Sequence, residues 1–199
     1  MEHAMQERLA IRETIENWAI WRDAGDWERF RTVWAKNGRM EATWKQGTAD
    51  EFIAASIAGW NKGISILHFL GGNSSDVVGD RAISQTKMTI SQRGIVDGSV
   101  CDVVCTGRFY DFMVKEDGAW KVLWRQPIYE KDRLDPLDPS VKLELDQNLL
   151  NFFPVGYRHL AYMQHKIGYT VKRDMPGLKG PEVEALYVKG CDWLAGKPL

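Results

Sequence analysis

The stretch WRDAGDWERFRTVW, residues 21–34, contains two aspartates three positions apart. Asp26 has an ordinary duty: an acidic residue just ahead of WERFRTVW can accept the free amide hydrogens of a following helix. Asp23 has none. It closes a tryptophan-rich segment, and it is either a solvated turn residue or a carboxylate buried for a purpose. Upstream, Leu9, Ile11, Ile15, Trp18 and Ala19 recur at roughly helical spacing from Met5 to about Arg22. Downstream, a short second helix is predicted to run to about Ala35. The chain therefore begins as two helices hinged at AGD, and beyond them the apolar period changes.

GRMEATW, residues 38–44, alternates weakly after an Asn-Gly break and reads as a strand. In TADEFIAASIAGW, Thr48 with Glu51 three positions on is a capping box, and Phe52, Ile53, Ile57 and Trp60 form the helix's buried face. ISILHFLGG, DRAISQTKMTISQRGIV, SVCDVVCTGRFYDFMV and AWKVLWRQPIYEKD are rich in β-branched and aromatic residues. The turn signals GGNSS, VVGD, VDGS and KEDG separate them, the last two being tight-hairpin sequences. Helix, helix, strand, helix and then a meander of long antiparallel strands predicts an α+β domain over residues 1–133, with helices gathered on one side of a curved sheet. Two Asp-Pro steps in LDPLDPS end that unit. Residues 134–199 read as helical pieces too short and apolar to stand alone. This C-terminal extension is expected to fold back over the domain or reach a neighbouring subunit.

A chain of 199 residues suits one domain with length to spare. A formal net charge of −1 argues against nucleic acid or an anionic membrane surface as partner. MEHAMQERLAIRETIENW is charged throughout, so neither a signal peptide nor a membrane span is expected. Cys101 and Cys105 lie four apart in a strand, hence ~13 Å apart, beyond bridging reach. No cysteine or histidine spacing suggests a metal. The expectation is a reduced, cytoplasmic protein with no metal and no cofactor. Nine tryptophans suggest a lined cavity, a sticky interface or a large core.

His68 lies among Ile64, Ile66, Leu67, Phe69 and Leu70, as either a hydrogen-bonded core residue or a base in a dry pocket. A carboxylate in reach would favour the second, by fixing its tautomer and stabilising its protonated form. Asp23 is the candidate, since the end of the first helix can hang over the start of the second strand. Strand alternation puts Leu123, Arg125 and Pro127 on one face. Arg125 is then either paired with Asp102 or Asp111 or a fixed cation for an oxyanion or departing hydroxide. Tyr110 and Tyr129 are walls or hydroxyl donors. His159 and His165 read as surface or packing residues.

These residues, in this order of elements, resemble the SnoaL-like branch of the nuclear-transport-factor-2-like superfamily. The likeness is nearest to the hexachlorocyclohexane dehydrochlorinase, scytalone dehydratase and bile-acid 7-alpha-dehydratase group, and covers roughly residues 5–133. IRETIENWAIWRDAGDWERFRTVW aligns with the dehydrochlorinase pattern without a gap, placing Asp23 on the catalytic aspartate and Trp34 on a helix-two tryptophan. ILHFLGGN puts His68 on the catalytic base, and WKVLWR puts Arg125 on the active-site arginine. Trp18 stands where the dehydrochlorinase has a lysine, and the tail exceeds the minimal domain.

The resemblance implies a cystatin-like cone in which a curved antiparallel sheet wraps on N-terminal helices. It also implies a cofactor-independent lyase eliminating water from a small hydroxylated aromatic or polycyclic substrate. His68 would be the general base, Asp23 its orienting group and Arg125 the holder of the leaving group. Trp34, Trp44, Trp60, Phe109, Tyr110 and Tyr129 would contact substrate. Diarylpropane lyases, which cleave lignin-derived dimers to stilbenes and formaldehyde through a quinone methide, belong to the same superfamily and offer an extended version of this chemistry. Alternatives are a non-catalytic binding or assembly domain, or a ketosteroid-type isomerase using Asp102 or Asp111. The apolar outer face of the sheet predicts a homo-oligomer, and the lyase relatives favour a trimer over a dimer.

Overall fold

Two Asp-Gly pairs double the second half of the chain back on itself. Asp97–Gly98 (φ 48° and 86°) and Asp117–Gly118 (φ 51° and 78°) take positive φ at both positions, the backbone pattern whose twist matches that of a hairpin. They join β4 (Arg81–Val96) to β5 (Ser99–Glu116), and β5 to β6 (Ala119–Pro136). A computed structural model describes residues 2–199. β3 (Ser65–Val78) precedes this meander; β1 (Trp34–Glu41) and β2 (Gln46–Thr48) extend the other edge, in the order β2-β1-β6-β5-β4-β3. All neighbours are antiparallel except β1 and β6, which run parallel. No hairpin joins that pair, so nothing imposes the antiparallel sense.

The structure corrects several expectations. GGNSS is not a turn: β3 continues through it with a register shift between Leu70 and Asn73. Asn73 Nδ2 donates to Ser84 Oγ and Thr86 Oγ1, each at 2.8 Å, which ties the irregular stretch to β4. The second helix, α2 (Trp27–Thr32), stops short of Ala35, and Trp34 opens β1 by pairing with Val122. Tertiary pairing overrides the local helical pattern there. A bulge in β6 opposite Phe112 and Met113 turns Leu123 away from the face that carries Arg125.

α1 (Glu2–Ala24) buries Ile11, Ile15, Trp18, Ala19 and Arg22 along one stripe, whereas Leu9 faces out. Asp26 caps α2, and Thr48 with Glu51 forms the expected capping box on α3 (Ala49–Asn61). The concave face of the sheet closes on these helices. In the C-terminal extension, α4 (Gln147–Phe152) and α5 (Arg158–Lys166) complete that same core with Leu150, Phe153, Leu160, Ala161 and Met163. α6 (Pro181–Leu194) crosses to the convex face, where Val183, Leu186 and Trp193 pack on Ile83, Phe112 and Ile128. The extension thus clasps its own sheet from both sides. Cys101, Cys105 and Cys191 are free thiols. Among the described residues no helix is long and apolar enough to cross a membrane.

Candidate active site

Strand period and helix length together bring Asp23 to His68. Along β3 the inward positions are Ile66, His68 and Leu70, alternating with exposed Leu67 and Phe69. α1 is long enough to deliver Asp23, in its last turn, over this strand. One carboxylate oxygen accepts the His68 backbone N–H at 2.5 Å, and the other meets ring Nδ1 at 2.8 Å. His68 is thereby held at two points, backbone and ring, and the Nδ1–H tautomer of the imidazole is selected. Arg22 Nη1 donates to Asp23 Oδ1 at 3.3 Å and to the Ile66 carbonyl at 3.2 Å. So Asp23 is not a solvated turn residue; it anchors helix, strand and imidazole together.

The ring is walled by Trp18, edge-on at 5.2 Å, and Phe109, tilted at 5.9 Å. Burial lowers the His68 pKa below its ordinary value of 6.5, outweighing the opposing pull of Asp23, and Arg22 and Arg125 add to the lowering. His68 is therefore neutral near pH 7. Its Nε2 lone pair has no hydrogen-bond partner among the described residues, and the ring borders a cavity of about 30 Å³ with Trp44, Phe109, Tyr129, Arg22 and Gln164. That volume holds a water or two, against roughly 150 Å³ for a cavity that takes benzene. An outer pocket, lined by Trp27, Trp60, Ile64 and Tyr169, shares Arg22, Trp44, Ile66, Gln92 and Gln164 with the inner cavity. Those shared side chains stand between the two spaces.

Arg125 does not reach this cavity. It is fully buried, with Nε and Nη2 each 2.7 Å from an Asp111 oxygen and its guanidinium 3.9 Å from the Phe109 ring centre and 4.2 Å from that of Trp18. Alternation foretold its face but not its depth: two aromatic rings stand between it and the space a substrate would use. Burial pushes the Asp111 carboxyl upward against the opposing Arg125 charge. Asp102 is engaged by surface Arg93 at 2.7 Å. Neither aspartate is an unengaged carboxylate in the cavity, which removes the base that the isomerase alternative requires.

Trp44, Phe109 and Tyr129 line the inner cavity, and Trp60 lines only the outer pocket. Trp34 is a core residue, edge-on to Trp18 and Phe30. Tyr110 points to the convex face, under Tyr187 of α6; adjacent strand residues face opposite ways, so Phe109 and Tyr110 cannot both be walls. His159 repeats the bidentate pattern, its backbone N–H and Nδ1 meeting Asp132 at 2.6 and 2.8 Å. Asp132 also accepts the Leu160 N–H at 2.8 Å, so this pair caps the start of α5.

Sequence reasoning missed Arg22, Gln92, Thr43 and Gln164. Gln92 continues the inward positions of Met88 and Ile90, and Gln164 stands one helical turn after buried Leu160. A polar residue in an apolar register was the available signal in both.

A curved sheet wrapped on N-terminal helices, with a carboxylate-held imidazole at its inner cavity, defines the cystatin-like α+β cone. The chain belongs to the SnoaL-like domain family, whose model matches residues 3–126. It is similar to pea pathogenicity protein 2 of Fusarium vanettenii, 39% identical over 204 aligned positions that cover 97% of this chain and 88% of that protein. It is also similar to scytalone dehydratase of Colletotrichum orbiculare, 26% identical over 137 positions, covering 61% of this chain and 72% of the enzyme. In fold it resembles the crystal structure of a hexachlorocyclohexane dehydrochlorinase of type 2, with a TM-score of 0.57, 11% identity, and coverage of 72% and 97% of the two chains.

Proposed function

We propose that the protein is a cofactor-independent lyase that removes water from a hydroxylated aromatic small molecule. The observation that carries this reading is the Asp23–His68 pair, whose ring is neutral, fixed through Nδ1 and free at Nε2. Nε2 takes a proton from substrate carbon, and Asp23 balances the imidazolium that forms. The same imidazolium then returns the proton to the departing hydroxyl. One C–H and one C–O bond break, a C=C bond forms, and water leaves with no redox change. Arg22, rather than Arg125, is the cation bordering the cavity. Similarity to a dehydratase in sequence and to a dehydrochlorinase in fold supports elimination as the reaction class.

A cavity of about 30 Å³ is smaller than one aromatic ring requires, so a substrate enters only as lining side chains move, and a two-ring diarylpropane demands the larger displacement. The substrate enters by the tryptophan-lined outer pocket. Free thiols fit a cytoplasmic setting, and exposed Leu67 and Phe69 on the convex face fit a homo-oligomer, for which the resemblance to the lyases favours a trimer over a dimer. The narrow cavity is the one feature that favours the rival reading, a binding or assembly domain.

His68→Ala and Asp23→Asn separate the two. With a panel of aryl alcohols and aryl hydroxyketones, product formation followed by ultraviolet absorbance should fall on the order of 10²–10⁴-fold in either variant, with circular dichroism unchanged. An unaltered rate in His68→Ala, or folding defects with no wild-type turnover on any member, would overturn the lyase reading.

A further inference from the structure

Three side chains on the cavity lining, Thr43, Gln164 and Gln92, form a hydrogen-bond relay. Thr43 Oγ1 donates to Gln164 Oε1 at 2.7 Å, and Gln164 Nε2 donates to Gln92 Oε1 at 3.3 Å. In the amide orientations of the structure both glutamine carbonyl oxygens are occupied, and the last group, Gln92 Nε2, is a donor without a partner. Gln92 is 1% exposed and Gln164 is 3% exposed. Arg22, 7% exposed, borders the same cavity, and its Nε also lacks a partner. Leaving one buried donor unsatisfied is costly. Trp18 Nε1 is a third such donor on the lining of the same cavity, and Gln92 and Arg22 are an arrangement that a bound acceptor would complete. His68 Nε2, by contrast, is an acceptor. The cavity lining therefore presents both donors and an acceptor.

We propose that Gln92 and Arg22 form a subsite for an acceptor oxygen of the ligand, a carbonyl or phenolate oxygen attached to its ring, and that Gln164 is the positioning residue that keeps Gln92 turned as a donor. Gln164 lies in α5, outside the residues 3–126 that match the family model. Part of the specificity is thus supplied by the C-terminal extension. As a statement about which substrate oxygen is read, the proposal rests on the lyase reading; as a statement about binding, it stands apart from turnover.

The test is a selectivity measurement with two probes of near-equal shape, acetophenone and ethylbenzene, titrated against the full chain and followed by tryptophan fluorescence. Wild type should bind acetophenone about tenfold more tightly, the factor expected of one buried hydrogen bond. Gln92→Met should abolish that ratio, and Gln164→Met should reduce it by releasing the Gln92 amide to flip. A purely structural effect would weaken both probes alike and leave the ratio intact, which would overturn the proposal. So would equal binding of the two probes by wild type, or no binding of either. His68→Ala, which should lose turnover, should keep the ratio; its failure to do so would count against the subsite and not against the lyase.

Discussion

Asp23 ties the end of α1 to β3 through both the backbone and the ring of His68, and on the proposed reading the same carboxylate also serves the reaction. Burying an unpaired carboxylate would cost several kcal/mol, and here the imidazole, its backbone amide and Arg22 share the load. Because burial depresses the His68 pKa below 6.5, the folded state binds fewer protons than the unfolded state just below that value. Stability from this group is complete above pH 6.5 and declines as pH falls toward and through the folded-state pKa. Urea denaturation at pH 7.5 and pH 5 should show a loss that His68→Gln makes smaller; an identical loss in the variant would refute the linkage. The acid limb of the kcat/KM profile should lie below pH 6.5 for the same reason. Both partners were legible in the sequence: an aspartate without a capping duty, and a histidine in an apolar strand register. Arg125 was legible only as to face. Its pairing with Asp111 depends on the β5–β6 register, and its depth depends on where Trp18 and Phe109 pack, neither of which a single strand's alternation contains.

Hairpins, the capping box and the four long strands could be read locally because turn chemistry and period are local. The end of α2 could not, since Val33 and Trp34 leave the helix to pair with β6, a partner more than eighty residues away. The C-terminal helices had the opposite problem: their apolar faces were visible, but not which face of the sheet each would cover. Asp132 supplies the answer for α5. It is 1% exposed at its side chain and accepts two backbone amides from the first turn of a helix that has no side-chain cap of its own. Asp132→Ala should therefore cost about 1–2 kcal/mol in urea denaturation, as loss of a helix cap does. It should also increase amide exchange across α5 while leaving α1 and β3 protected. Uniform exchange gains throughout the cone would show instead that α5 is not a separately opening unit.

The convex face of the sheet is divided. α6 covers the half built from Ile83, Phe112 and Ile128, while Leu67 (57% exposed), Phe69 (76%), Ile95 (62%) and Val100 (46%) are uncovered on the other half. These four come from β3, β4 and β5, and Ile95 and Val100 face each other across a hairpin. Scattered exposed apolar residues need no explanation, but several on one sheet face beside a free edge strand favour burial against another surface. β3 is that edge strand, and it also carries His68. Packing of a second copy on Leu67 and Phe69 would steady the strand that holds the His68 ring. Wild type should therefore sediment as an oligomer, and Leu67→Lys combined with Phe69→Lys should convert it to a monomer with native circular dichroism. Turnover of the monomer should fall less than that of His68→Ala, because the reacting groups all come from one chain. A wild type that sediments as a monomer at micromolar concentration, or a double variant that stays associated, would move the interface elsewhere and leave this apolar half-face unexplained.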